Sequence, residues 1–405
     1  MRVSSWWRDK AMSTVVRPPS GVVGPVAWVR NNLFNGVSNT IITIVLIACL
    51  AYVLPMIYAW AIGDAVLTVK PSDDSWWGYE FAPNADACRV ADGACWDFVT
   101  EKFRVFIYGL YPQDALWRPT VMILLLFGMI GVSVNSWFWG RGLVIAWLVA
   151  IPGMFVLMQG GLFGLSFVET GKWGGLPITL IIAVTGIAFS FPIAVVLALG
   201  RRSDLPIVKT LCIGFIEIIR GVPLITILFM ASLMIPLFTP EGVNFNKLLR
   251  ALIGFTLFSA AYVAEVIRGG LQALPKGQFE AADAMGMSYW QKTNLIILPQ
   301  ALKLVIPPIM NTFIGLFKDT TLIIVISMFD FLGAVRLASN DTTWRSFYVE
   351  GLVFAAVIYF IMCFAMAQYS RHLELKLDTG HRTDAAPRKP WFPGIWGPGQ
   401  NSDLR

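Results

Sequence analysis

Residues 280–299 read EAADAMGMSYWQKTNLIILP. After Glu280, Ala281 and Ala282, the fixed positions of the stretch are Gly286, Ile296, Leu298 and Pro299. Strongly apolar runs flank it, 250–267 before and 300–334 after. A polar, helix-forming block between two membrane spans is where a membrane protein can be gripped from the cytoplasm. A helix is predicted from about Gln278 to Trp290, with Glu280 in its first turn, where the helix dipole favours a carboxylate. Phe279, Ala282 and Gly286 then share one face at i, i+3, i+7 spacing, so two small residues and an aromatic can seat the helix in a partner's groove. Upstream, Gly269 and Gly270 are expected to end the preceding span as a C-cap. Pro275 and Gly277 punctuate the connection, and Pro299 closes the polar segment.

The 405-residue chain as a whole is 56% hydrophobic and 14% charged, with a mean hydropathy of +0.66. Soluble domains carry closer to a quarter charged residues. The apolar residues come in long runs rather than a helical stripe, so lipid is the solvent for much of the chain. The formal charge of +6 does not call for nucleic acid, because Lys and Arg collect in the cytoplasmic loops of membrane proteins. Runs at 41–62, 119–138, 142–160, 176–199, 206–238, 250–267, 300–334 and 351–369 give about eight helical spans, an all-α integral membrane protein. The first run is too long for a signal-peptide core and reads as a retained span.

Placing the N-terminal tail in the cytoplasm puts Arg141, Arg201, Arg202, Lys209, Arg268, Lys276, Lys292, Arg371 and Lys376 on the same side. The acidic loop 64–117, with Asp73, Asp74, Glu80, Asp86, Asp92 and Asp97, then lies outside. Both termini are therefore expected in the cytoplasm. Cys88 and Cys95, with six residues between them in that outer loop, would face an oxidising compartment where a disulfide is reasonable; two free thiols are the alternative. Cys49, Cys212 and Cys363 fall in or beside apolar runs. No His/Cys cluster has metal-ligand spacing, and neither a metal nor a cofactor is expected. Trp6, Trp7, Trp76, Trp77 and Trp173 read as interfacial anchors.

The spaced pattern of 280–299 resembles the EAA loop of ABC-importer permeases, which carries the coupling helix that docks into an ATPase. The wording of Tyr262–Gly286 is similar to the polar-amino-acid branch of that family. So are Arg220-Gly221-Val222-Pro223-Leu224 and Lys318-Asp319-Thr320-Thr321-Leu322. The resemblance covers roughly 174–372, a type I importer core of five helices with its coupling loop at 268–299. The segment 39–173, three further spans around the outer loop, is absent from minimal members. With the tails 1–38 and 373–405 it looks like the M-type subunit of the general L-amino-acid permeases of the Aap/Bzt kind.

The resemblance implies a non-enzymatic permease subunit of an ATP-driven, binding-protein-dependent importer of L-amino acids in a bacterial inner membrane. Its partners would be an ATP-binding subunit dimer, a second permease subunit in a heterodimer, and a periplasmic amino-acid-binding protein. Glu280, Ala281, Ala282, Gly286, Ile296, Leu298 and Pro299 would be the ATPase-coupling residues. In keeping with this division, the chain has no phosphate-cradling Gly-x-x-x-x-Gly-Lys-Ser/Thr run; Gly171-Lys172 is followed by Trp173. The alternative is an ion-gradient-driven secondary transporter, which would typically show an internal repeat. The 41–160 half does not echo 176–369.

Ionisable groups inside spans are costly and line cavities or pair with one another. Glu265 either lines the path or pairs with Arg268, one turn on. Asp319 either accepts a substrate ammonium, with Thr320 and Thr321 as donors, or pairs with Lys318 or Arg220. Arg220 either pairs with Glu217 or holds a cytoplasmic gate before Pro223. Asn311 is a further polar residue on the candidate path, or a helix-to-helix hydrogen bond.

Overall fold

The computed structural model describes residues 25–71, 79–162, 164–240 and 245–377. Trp6, Trp7, Asp73, Asp74, Trp76, Trp77 and the tail beyond 377 lie outside the described residues. The chain forms two compact units, 1–100 and 101–405.

In the first unit, helix α1 (Pro25–Leu33) precedes α2 (Val37–Tyr58), which continues as a wider turn to Gly63. Uncharged and apolar over most of its length, Val37–Gly63 is long enough to cross a bilayer. Beyond it, β1 (Val69–Pro71) pairs antiparallel with β2 (Tyr79–Phe81), followed by the short α3 (Ala85–Val90) and the start of α4 (Trp96–Tyr108). The loop is built around the buried carboxylate of Asp97. It accepts hydrogen bonds from the Thr68 amide at 2.6 Å, the Thr68 hydroxyl at 2.7 Å and the Asn84 amide at 2.9 Å. Three donors satisfy the charge that burial would otherwise penalise. Cys88 and Cys95 are joined as a disulfide, Cα–Cα 5.4 Å.

The second unit holds α5 (Trp117–Val134), α6 (Arg141–Gln159), α7 (Gly175–Arg201), α8 (Pro206–Gly221), α9 (Leu224–Phe238) and α10 (Lys247–Ala273). Then come α11 (Lys276–Ala284), α12 (Tyr289–Lys292), α13 (Leu298–Asp319), α14 (Phe331–Ala338) and α15 (Tyr348–Leu377). Among the described residues seven helices are long and apolar enough to span a membrane, or eight if α8 and α9 count as one. One core gathers Met122 and Leu126 of α5, Met154 and Met158 of α6, Ile178 and Ile182 of α7, and Phe255 of α10. A second, formed by Ala194, Ala198, Ala260, Ala264, Ile297 and Ala301, joins α7, α10 and the start of α13.

Three expectations are corrected. The run 206–238 is not one straight span: α8 and α9 meet at 107°. Pro223 lacks an amide to continue the helix, and Val222 before it is extended (φ −111°, ψ 133°). Gly269 and Gly270 do not cap α10, which runs on to Ala273 and stops before Pro275. A Cβ at Gly270 would stand 2.8 Å from the Ala301 carbonyl oxygen and collide with the Val305 side chain; the glycine there lets α10 and α13 approach closely. Finally, no single helix covers 278–290, as described next.

Candidate functional site

Helix α11 ends at Ala284 because Gly286 takes a left-handed conformation, φ +72°. The Gly286 amide donates to Asp283 O at 2.9 Å and the Met287 amide to Ala282 O at 3.2 Å. This is the paired C-cap that a glycine at that position allows. Ser288 then caps α12 reciprocally with Gln291. The segment 276–292 is thus a helix, a tight turn and a second short helix. The turn is closed by an ion pair between Lys292 and Asp283.

Its two surfaces differ. Ala282 is buried (1% exposed) and Phe279 packs against the second core. The Arg202 guanidinium lies 5.3 Å over the Phe279 ring and donates to Leu271 O at 2.7 Å, tying α11 to the ends of α7 and α10. Outward stand Glu280, Ala281 and Gly286, all exposed, with three apolar side chains: Met285 (77% exposed), Tyr289 (49%) and Trp290 (64%). Ile296 and Leu298 are half-buried at the turn into α13, and Pro299 is exposed on its first turn. The expected common face of Phe279, Ala282 and Gly286 does not exist. Ala282 anchors, Gly286 terminates, and the outward face is Met285, Tyr289 and Trp290. Sequence spacing missed these three, although apolar side chains in an otherwise polar block are a readable signal.

Above this segment, Glu265 on α10 is met by three arginines. Arg268 hydrogen-bonds it directly, Arg201 of α7 lies at 3.4 Å and Arg220 of α8 at 3.8 Å. Arg201 also pairs with Glu217 at 2.8 Å. Arg220 therefore does not pair with Glu217 or Asp319, as two of the readings had it. It reaches Glu265 and lies 5.5 Å over the Tyr262 ring. This charge cluster joins α7, α8 and α10 beside the bend at Val222–Pro223.

Asp319 closes α13 and makes no hydrogen bond or ion pair among the described residues. Thr320 and Thr321 donate backward to Phe317 O (2.8 Å) and Lys318 O (2.9 Å), capping their own turn. Asn311 is exposed, two turns earlier on α13. Beyond, Asp330 is buried; its carboxylate caps α14 through the Gly333 amide (2.8 Å) and accepts the Tyr359 hydroxyl (2.9 Å). Burial pushes the Asp330 carboxyl above the usual carboxylate range, and the Gly333 amide and Tyr359 hydroxyl pull it partly back.

The fold and the site are those of a multi-span helical membrane protein that carries an exposed apolar patch on a short helical segment between two spans. Residues 190–378 match the family model described as binding-protein-dependent transport system inner membrane component. The chain is 50% identical over 361 residues to the inner membrane amino-acid ABC transporter permease protein YhdY of Escherichia coli K12, covering 88% of this chain and 94% of the relative. It is 37% identical over 430 residues to the glutamate/glutamine/aspartate/asparagine transport system permease protein BztC of Rhodobacter capsulatus, covering 90% and 96%. A crystal structure of an amino acid ABC transporter with histidines matches 50% of this chain and 92% of its own, at 29% identity and a TM-score of 0.45.

The chain belongs to the amino-acid ABC transporter permeases. It is a multi-pass inner-membrane subunit of a binding-protein-dependent importer, and hydrolysis of ATP belongs to a separate subunit. The gradient-driven alternative finds no support among these relatives.

Proposed function

We propose that the chain forms half of a heterodimeric pathway for L-amino acids and is driven through the segment 276–292. One observation carries this: Met285, Tyr289 and Trp290 stand exposed on a segment whose opposite side is anchored by Ala282 and Phe279. Exposed aromatic and Met side chains beside an acidic residue make a surface that a partner can desolvate. Pressed by an ATPase, α11 moves as a unit with the ends of α7 and α10 through Arg202. The Glu265 cluster spans those same helix ends and the α8–α9 bend, so Arg220 and Pro223 sit where a cytoplasmic gate would swing.

In this reading Asp319 offers a carboxylate to a substrate ammonium, and it is the unpaired acid that supports the assignment. Thr320 and Thr321 shape the turn rather than donate to substrate, since both hydroxyls are spent on backbone carbonyls. Asn311 and Glu265 remain candidates for the path wall. Both termini lie in the cytoplasm, the 64–117 loop faces the binding protein, and 174–372 is the transport core behind the extension 39–173.

The test is co-purification with the ATP-binding subunit from gentle detergent. Trp290→Asp and Met285→Asp should each lose the ATPase while the second permease subunit stays bound. Retention of the ATPase by both variants would remove the docking assignment.

A further inference from the structure

We propose that an apolar groove between α6, α7 and α10 binds one acyl chain of an anionic phospholipid, with its headgroup phosphate between Lys172 and Lys247. The groove has a volume of about 680 Å³, within the usual range for a ligand site. Each wall is a stripe at helical spacing: Phe155 and Gln159 from α6, Phe189 and Ile193 from α7, Leu249 and Ile253 from α10.

The lining is zoned. Three of its polar members, Gln159, Thr170 and Asn246, stand at the C-terminal end of α6, just before α7, and at the N-cap of α10, while Thr185 and Thr256 lie deeper, within α7 and α10. Those three ends belong to one face of the membrane, because α6 runs opposite to α7 and α10. Most of the remaining lining is apolar. Along α10 the lining runs from Asn246 to Leu257, about 16 Å at the helical rise of 1.5 Å per residue. That is half of a hydrocarbon core of about 30 Å, the depth of one leaflet and of one lipid chain.

Charge decides the headgroup. Lys172 lies between the lining residues Thr170 and Trp173, and Lys247 between Asn246 and Leu248. Both lysines are exposed, and neither makes an ion pair among the described residues. Glu169 is exposed on the same loop as Lys172, so among the described residues two lysines face one carboxylate and the mouth is net positive. A transmembrane helix from another subunit could fill the apolar part but would offer nothing to the two cations. An anionic phospholipid satisfies both ends. The wall from α6 lies outside the residues that the family model matches, so the site comes with the N-terminal extension.

The test is native mass spectrometry of the purified full chain in mild detergent, after incubation with an equimolar mixture of phosphatidylglycerol and phosphatidylcholine. Wild type should keep phosphatidylglycerol in preference. Lys172→Gln and Lys247→Gln should each lower that preference about fivefold, the worth of one basic side chain at an anionic surface. Ile253→Trp, which fills the groove, should lower retention of both lipids. Equal retention of the two lipids by wild type, or a preference unchanged in the lysine variants, overturns the proposal. So does cross-linking of Ile253→Cys to the second permease subunit in the assembled importer, because a protein helix would then occupy the groove. The lysines are surface residues, so these readings stand even if Ile253→Trp fails to fold.

Discussion

Gly286 shows how far a single residue can be read from spacing. The pattern Glu280-Ala281-Ala282…Gly286 marks a helical segment between two spans, but the sign of φ at Gly286 is not written in the spacing. The residue takes a left-handed turn with open space around its Cα, so its requirement is conformational rather than steric. Gly286→Val should cost about 1–2 kcal/mol of local stability, and Gly286→Asn, which tolerates that region, clearly less. Hydrogen exchange across 276–292 would measure the difference. Equal protection in both variants would contradict the reading. Glu265 was legible as an intramembrane acid but its partners were not, because Arg201 and Arg220 arrive from helices distant in sequence. Glu265→Gln would leave three arginines facing one another. With a fifth to a third of these side chains still exposed, a loss of about 1–2 kcal/mol is expected. Adding Arg220→Gln should restore part of it, as read by thermal unfolding of the detergent-purified chain.

At the scale of elements, hydropathy placed the spans well and their breaks poorly. Length and apolarity fix where a helix can cross, whereas the 107° bend between α8 and α9 and the division of 276–292 depend on single backbone angles. Pro223 enters the sequence reading only beside the candidate gate; the bend it makes with Val222 is not foreseen there. The anchoring of α11 rests on Arg202, which appeared in the sequence only as a positive-inside residue. Arg202→Ala should leave the ATPase bound but weaken the link between hydrolysis and transport, raising ATP consumed per substrate moved. An unchanged ratio would assign α11 another anchor. A second tie is electrostatic: Lys102 on α4 donates to Asp341, beyond α14, at 2.6 Å. That hydrogen bond, with the Thr343 amide, holds the Asp341 carboxyl below the usual carboxylate range. A carboxyl depressed in the folded state contributes stability above its unfolded value, near pH 3.9, and loses it as pH falls through the folded value. The stability gap between wild type and Asp341→Asn should therefore be flat near neutrality and close below about pH 4. A gap that widened on acidification would contradict the pairing.

For the molecule as a whole, α5 and α6 of the N-terminal extension are less separate from the core than their absence from minimal relatives suggested. Met122, Leu126, Met154 and Met158 of α5 and α6 share one core with α7 and α10, a fact of packing that no linear pattern carries. The described residues of the loop between α2 and α4 hold a strand pair, a short helix and a buried carboxylate. Cys88 and Cys95 of protein purified from the membrane should react with an alkylating reagent only after reduction; free reaction in the native protein would place that loop in a reducing compartment or leave the bridge unmade. The central claim is ATP-driven import coupled through the outward face of 276–292. Its most direct test is uptake of labelled amino acids into proteoliposomes holding the full importer and its binding protein, with ionophores present, comparing wild type with Trp290→Asp. Wild type should accumulate substrate only with ATP and without any ion gradient, and Trp290→Asp should lose at least tenfold in rate, about 1.4 kcal/mol of coupling. Uptake that follows an imposed ion gradient, or a Trp290→Asp importer as active as wild type, would contradict it.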